Sequence, residues 1–340
     1  DIMIIPNTNP VVFTKSQVEY IVQKSILTGV TIHPIGAVTK NSDGKELAEM
    51  YDMANSGAIA FSDGLNAIQD GGLLLKALLY LKAINGTVIQ LPDDKSIGNS
   101  GLMNEGIVST RLGLPGKPAM SEELMVARDI NLAAYTESRL HVTGISSAKS
   151  LEYIKKAKAS GINITCSATP YHLFFCDEDL QQYDTNLKVN PPLRTGPDRK
   201  ALLQGLLDGT IDFIASHHNP QNYDSKVCEF EYAKNGMIGL ESLFGVIGSV
   251  IDNINDHAAI DFTMEKLVEC MTVAPRKVFG IKVPEIKERS KATLTMFDPG
   301  LKYIFNEKDI RSKSKNSAFI GRQLKGKVIG IINGDKIYLN

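Results

Sequence analysis

Cysteine is scarce, net charge is almost nil and long apolar runs are missing from these 340 residues, and each shortage removes a class of protein. The four cysteines, Cys166, Cys176, Cys228 and Cys270, show no Cys-x-x-Cys spacing, which excludes a disulfide scaffold and a thiolate zinc knuckle. Reduced thiols and a cytoplasmic location are the expectation. With 37 basic against 38 acidic residues the net charge is −1, so no field gathers nucleic acid or an anionic membrane surface. No stretch approaches the roughly 20 apolar residues of a membrane span, and the opening Asp-Ile-Met-Ile-Ile-Pro lacks a basic leader. Gly44, Gly64, Gly71 and Gly72 do not form the Gly-x-x-x-x-Gly-Lys-Ser/Thr spacing of a phosphate loop. Small-molecule chemistry or protein assembly remains.

What is present is an alternation of short apolar runs with helical patterns up to about residue 280, the signature of parallel β/α units. Seven strands are predicted: Ile2–Pro6, Val30–Ile35, Ala58–Ser62, Thr87–Leu91, Leu140–Ile145, Ile162–Ser167 and Ile211–Ser216. Thr14-Lys15-Ser16-Gln17 reads as a capping box for a helix that turns Val18, Ile21, Val22, Ser25 and Ile26 to one face, with Gly29 as a left-handed stop. Ser147 to Gly161 repeats this grammar, with Leu151 and Ile154 inward. The fold class is α/β, a (β/α)8 TIM-type barrel, and seven strands lead to the expectation that a further strand precedes Asp1. Residues 1–284 are assigned to the barrel and 285–340 to a small β appendage, in which Asn333-Gly334-Asp335 is a hairpin turn. The Gly-rich connection Gly98–Pro118 is too long for a routine loop and is a site cover, an interface element or a mobile segment.

Residues 211–221, Ile-Asp-Phe-Ile-Ala-Ser-His-His-Asn-Pro-Gln, end an apolar strand in ligand-type side chains, as a barrel strand does at its C-terminal mouth. Together with Pro6–Pro10, Ala60–Gly64, Met103–Gly106, Leu112–Gly116, Val126–Ile130, Thr169–Leu173, Asn190–Arg194, Lys313–Asn316 and Phe319–Gly321, this run resembles the dihydroorotases of the multifunctional-complex (class I) type, within the amidohydrolase superfamily. The resemblance implies an amidohydrolase-type barrel. It also implies pyrimidine biosynthesis, in which dihydroorotate and N-carbamoyl-L-aspartate interconvert at a two-zinc centre that activates water and polarises the ring carbonyl. By that resemblance the metal ligands are a His-x-His pair on the first strand, a carboxylate after the fourth, histidines after the fifth and sixth, and an Asp after the eighth.

Mapped onto this chain, Asp63 matches the fourth-strand carboxylate, whereas Leu91 and Gly144 stand where the fifth- and sixth-strand histidines belong. His217 replaces the catalytic Asp; imidazole can ligate zinc or act as a general base, but it brings no negative charge. Most metal ligands are therefore read as substituted, and zinc binding in this chain is not expected. Asn7, Asn190 and the Asn235-Gly236 pair match substrate-binding positions, and Gln221 replaces a substrate-contacting histidine. Asn7 and Asn190 equally suit strand-end and turn caps, each lying near a proline. His141 reads as a satisfied core histidine and His172 as a loop fixture. His217 and His218 are expected on opposite faces of one strand. Asp93-Asp94 is either a carboxylate pair at the mouth or a solvated loop end.

Three functions remain: a non-catalytic dihydroorotase-like subunit kept for assembly, with aspartate carbamoyltransferase or a second copy as partner; an active dihydroorotase with an altered metal site; and a ureide or pyrimidine sensor.

Overall fold

A computed structural model describes residues 1–257 and 262–340. Nine strands lie in the first 214 residues: β1 (Ile2–Ile4), β2 (Ile32–Gly36), β3 (Ala60–Phe61), β4 (Thr87–Gln90), β5 (Met103–Asn104), β6 (Gly116–Lys117), β7 (Arg139–Thr143), β8 (Ile164–Ala168) and β9 (Phe213–Ile214). Seven of them form one parallel sheet in the order β1-β2-β3-β4-β7-β8-β9, one for each strand read from the sequence. Sequential parallel order with a helix in most crossovers is the TIM-type α/β arrangement.

Burial explains why these runs become strands. Val88, Leu140, Val142, Ile164, Cys166 and Ala168 are enclosed on one face of β4, β7 and β8, and Ile89, His141 and Ser167 on the other, as both faces of a barrel strand require. The helix Gly71–Lys82 buries Leu74, Ala77, Leu78 and Leu81, the stripe a helix presents to a sheet. Ser147 caps the helix Ala148–Ala159, and Gly161 takes the left-handed φ of 78° that ends it. At the first helix, Lys15–Ile26, Gln17 Oε1 accepts from Thr14 N at 3.0 Å as the capping box requires. The expected left-handed stop is corrected: Gly29 has no positive φ, and a Cβ there would lie 2.5 Å from the Tyr338 ring. Ile26, expected inward, is exposed.

The connection Gly98–Pro118 is folded, with β5 and β6 paired in parallel and a helix Ile107–Leu112 between them. After Pro284 the chain forms an antiparallel sheet of β10 (Thr293–Ile304), β11 (Gln323–Asn333) and β12 (Lys336–Leu339). Gly334, at φ 65°, and Asp335 make the two-residue turn between β11 and β12. Among the described residues no helix is long and apolar enough to cross a membrane.

Candidate functional site at the barrel mouth

The carboxyl ends of β3, β4, β7 and β9 deliver Asp63, Leu91, Gly144 and His217. Asp63 is 1% exposed; its Oδ1 accepts from Thr39 N at 2.9 Å and its Oδ2 from Thr39 Oγ1 at 2.6 Å. Burial raises its pKa, and the Thr39 hydrogen bonds oppose that rise. Asn7 braces the same turn, donating from Nδ2 to Asp63 O at 3.1 Å and accepting from Leu65 N at 2.9 Å. A Cβ on Gly64 would fall 1.7 Å from Asn7 Oδ1, so the turn needs glycine. Asn7 thus acts as a turn brace with both ends of its amide engaged.

β9 stops at Ile214, so the strand alternation expected to separate His217 from His218 does not apply. The chain instead turns left-handed at His217, φ 42°. This aims Nε2 at Thr143 Oγ1, 2.7 Å away, while His218 Nδ1 accepts from Gly239 N at 3.2 Å. A Cβ at Gly144 would lie 2.7 Å from His217 Cε1 and 3.2 Å from Leu91 Cδ1. The three positions therefore meet, and the imidazole fills the space in front of the glycine. Burial holds the His217 pKa down at about 4, which leaves a neutral ring. The hydrogen-bond chain runs inward from Thr143 to Ser167 at 3.0 Å and on to His141 Nε2 at 3.0 Å. His141 also reaches Thr165 at 2.9 Å and stacks on Phe213, a fully partnered core histidine. His172 bridges Thr169 Oγ1 at 2.8 Å and Pro191 O at 3.1 Å, fixing the 169–191 connection.

Beside the mouth lies a cavity of about 220 Å³ whose wall includes Leu65, Asp93, Lys95, Lys117, Asn190 and Asn235. Lys117 comes from β6, and with Gly98, Gly101 and Leu102 it brings the folded Gly98–Pro118 connection into the cavity wall. Its Nζ lies 2.6 Å from Asp93 Oδ1 and 2.8 Å from Asn190 Oδ1, and Asn190 Nδ2 donates to Asp93 Oδ2 at 3.0 Å. Asp93 and Asp94 do not act as a pair, since Asp94 caps the turn at Ser96 N. Gln221 Nε2 donates to Asn235 O at 2.9 Å, and Gly236 N is bonded to Lys188 O at 2.9 Å. Asn190 and Asn235 thus line the cavity, whereas Gln221 and Gly236 do not, Gln221 being held to Asn235 and Gly236 to Lys188. Asn7 stands with Asp63, and His217 with Gly144. The sequence reading missed Thr39, Thr143 and Lys117; hydroxyls and a lysine outside any motif carry no signal until partners are visible.

Residues 100–337 match the family described as "Amidohydrolase family" and residues 2–150 the one described as "Dihydro-orotase-like". L-hydantoinase (dihydropyrimidinase) from Arthrobacter aurescens superposes with a TM-score of 0.83 at 21% identity, over 99% of this chain and 76% of that one. Dihydropyrimidinase from Brevibacillus agri NCHU1002 gives 0.74 at 18% identity, over 92% and 70%. The fold is that of the amidohydrolases. Proteins named dihydroorotase are nearer in sequence: that of Pelotomaculum thermopropionicum is 40% identical over 334 residues, 98% of this chain and 77% of the relative. The one from Syntrophus aciditrophicus is 38% identical over 335 residues, with the same coverage. The chain belongs to the dihydroorotase family.

Proposed function

We propose that this chain is a dihydroorotase relative in which metal-dependent opening of the cyclic amide is lost or residual, the barrel being retained as a scaffold. The observation that carries this reading is the packing of His217 into the space before Gly144 and against Leu91. Zinc is the family's cofactor, and the residues present do not fit a two-metal centre. Leu91 and Gly144 have no side-chain donor, His217 Nε2 is engaged by Thr143, and both Asp63 oxygens face Thr39. Among the described residues no three of His, Cys, Asp and Glu gather as a metal-holding group. Amide hydrolysis without a Lewis acid forfeits several kcal/mol of transition-state stabilisation. Held near pKa 4, His217 is also a poor general base at neutral pH.

Metal analysis of the full-length protein, paired with assays of dihydroorotate hydrolysis and the reverse cyclisation, tests the proposal. Substoichiometric zinc with no turnover is expected. Stoichiometric zinc with turnover abolished by Asp63→Ala would overturn it in favour of an active enzyme with an altered metal site. The scaffold role implies a partner, aspartate carbamoyltransferase or a second copy of this chain, to be sought by co-purification and mass measurement. A second reading, ureide binding without chemistry, is favoured by the polar cavity, where Asn190 and Asn235 offer amides and Lys117 a cation. Calorimetry with dihydroorotate should then show saturable heat that disappears in Asn190→Ala; no heat disposes of it.

A further inference from the structure

We propose that Lys188 and Lys226 are positioning residues, two buried ammonium groups that clasp segments 185–192 and 223–236 together and so set the gap between Asn190 and Asn235 across the cavity. Both are enclosed, 5% and 6% exposed, and the hydrogen bonds of both ammonium groups run to carbonyl oxygens. Each reaches backbone carbonyls of the opposite segment. Lys188 Nζ donates to Phe230 O at 2.7 Å and Glu231 O at 2.9 Å. Lys226 Nζ donates to Thr185 O at 2.7 Å, with Lys188 O at 3.5 Å, and to Lys234 O of its own loop at 2.8 Å.

The clasp is reciprocal, each segment sending one ammonium into the other. Two further bonds fix its register: Thr185 Oγ1 donates to Lys226 O at 2.6 Å, and Gly236 N to Lys188 O at 2.9 Å. An ammonium has three donors and no acceptor, and hydrogen bonds to a charged donor are about twice as strong as neutral ones. Stripping two such groups of water is costly unless hydrogen bonds replace it, and here the carbonyls of both segments supply them. What is held here is the cavity wall, because Val189, Asn190 and Pro192 line it from one segment and Asn235 from the other.

Hydrogen exchange on the ligand-free full-length chain tests the clasp. In Lys226→Ala the amides of Lys234 and Gly236 should exchange tenfold faster or more, while β7 and β8 keep their protection. Methylammonium chloride, entering the vacated carbonyl cage, should restore protection, and tetramethylammonium chloride at equal ionic strength should not. Unchanged exchange in the variant, or equal rescue by both salts, would overturn the proposal. In the unmutated protein the two ammonium groups should give slowly exchanging proton–nitrogen signals, and their absence would refute the clasp even if the variant failed to fold. The link to ligand rests on the cavity being a binding site. An unmutated protein that gives no heat with dihydroorotate sinks that reading and leaves the exchange result standing.

Discussion

Replacing Gly144 by alanine probes the contact on which the functional reading turns. The backbone there has φ 71°, where an L side chain costs roughly 1–2 kcal/mol. The new Cβ would also lie 2.7 Å from His217 Cε1 and 3.2 Å from Leu91 Cδ1, and overpacking of this kind costs roughly 1–3 kcal/mol more. Gly144→Ala alone should therefore destabilise by about 2–5 kcal/mol. In a His217→Ala background the ring clash is gone and only the backbone and Leu91 parts remain. The two substitutions should then couple by roughly 1–3 kcal/mol, well beyond the ~0.5 kcal/mol scatter of independent sites. Urea unfolding of the four proteins reads the cycle, by circular dichroism because the chain has no tryptophan. Additive losses would mean that the imidazole does not occupy the space before Gly144, and the argument against the two-metal site would lose its support.

The buried imidazoles set a pH dependence of defined sign. Burial depresses His141 and His172 to about 3 and His217 to about 4, so each folded-state pKa lies below the unfolded value near 6.5. The unfolded chain binds more protons in that window; stability is complete above pH ~6.5 and falls as pH drops, by about 1.4 kcal/mol per pH unit for each ring. Urea midpoints that stay flat from pH 7 to 5 would contradict this. Lys117→Met should strand Asp93 beside the cavity and cost about 2–4 kcal/mol, with most of the loss recovered on adding Asp93→Asn; equal midpoints for the single and double variants would count against the pair. Asn7→Ala removes both braces of the Asp63 turn and should cost roughly 1–3 kcal/mol in the same assay, with no loss expected if the turn held itself.

The strands were legible because enclosure leaves short runs without charged residues, rich in β-branched or small side chains, as at Thr87–Gln90 and Ile164–Ala168, and no tertiary knowledge is needed to see one. Caps were legible for a similar reason: Thr14, Ser147 and Gly161 act within a few residues of themselves. Gly29 misled because a glycine after a helix usually marks a left-handed end, whereas here it makes room for Tyr338, more than 300 residues away in sequence. The His217 turn was opaque for the opposite reason. A strand pattern predicts alternation up to its last residue, and nothing local announces that the ladder stops at Ile214 and that φ becomes positive three residues on. The engagement of Asp63 by Thr39, and of Asn190 by Lys117 and Asp93, depends on partners at least 24 residues away, beyond the reach of spacing rules.

Charge gives the substitution at position 217 a physical logic on the proposed reading. A carboxylate there is suited to a site that holds divalent cations, and without them it would be an unpaired anion in a half-buried mouth, a placement that costs several kcal/mol unless the group takes up a proton. A neutral imidazole removes that penalty, and its Nε2 finds a hydroxyl partner in Thr143. The volume changes are complementary as well, since a larger ring at 217 fills space left open by the smallest residue at 144. Reverting one position alone should therefore fail in opposite ways. His217→Asp would leave a charge without a counter-ion, its carboxyl pKa raised well above the usual range, while Gly144→His would drive one ring into another. Only the joint reversion of Leu91, Gly144 and His217 to His, His and Asp removes both faults. It is that triple variant of the full-length protein, and not any single one, that should take up zinc in metal analysis. Zinc uptake by His217→Asp alone would show that the compensation argued here does not operate.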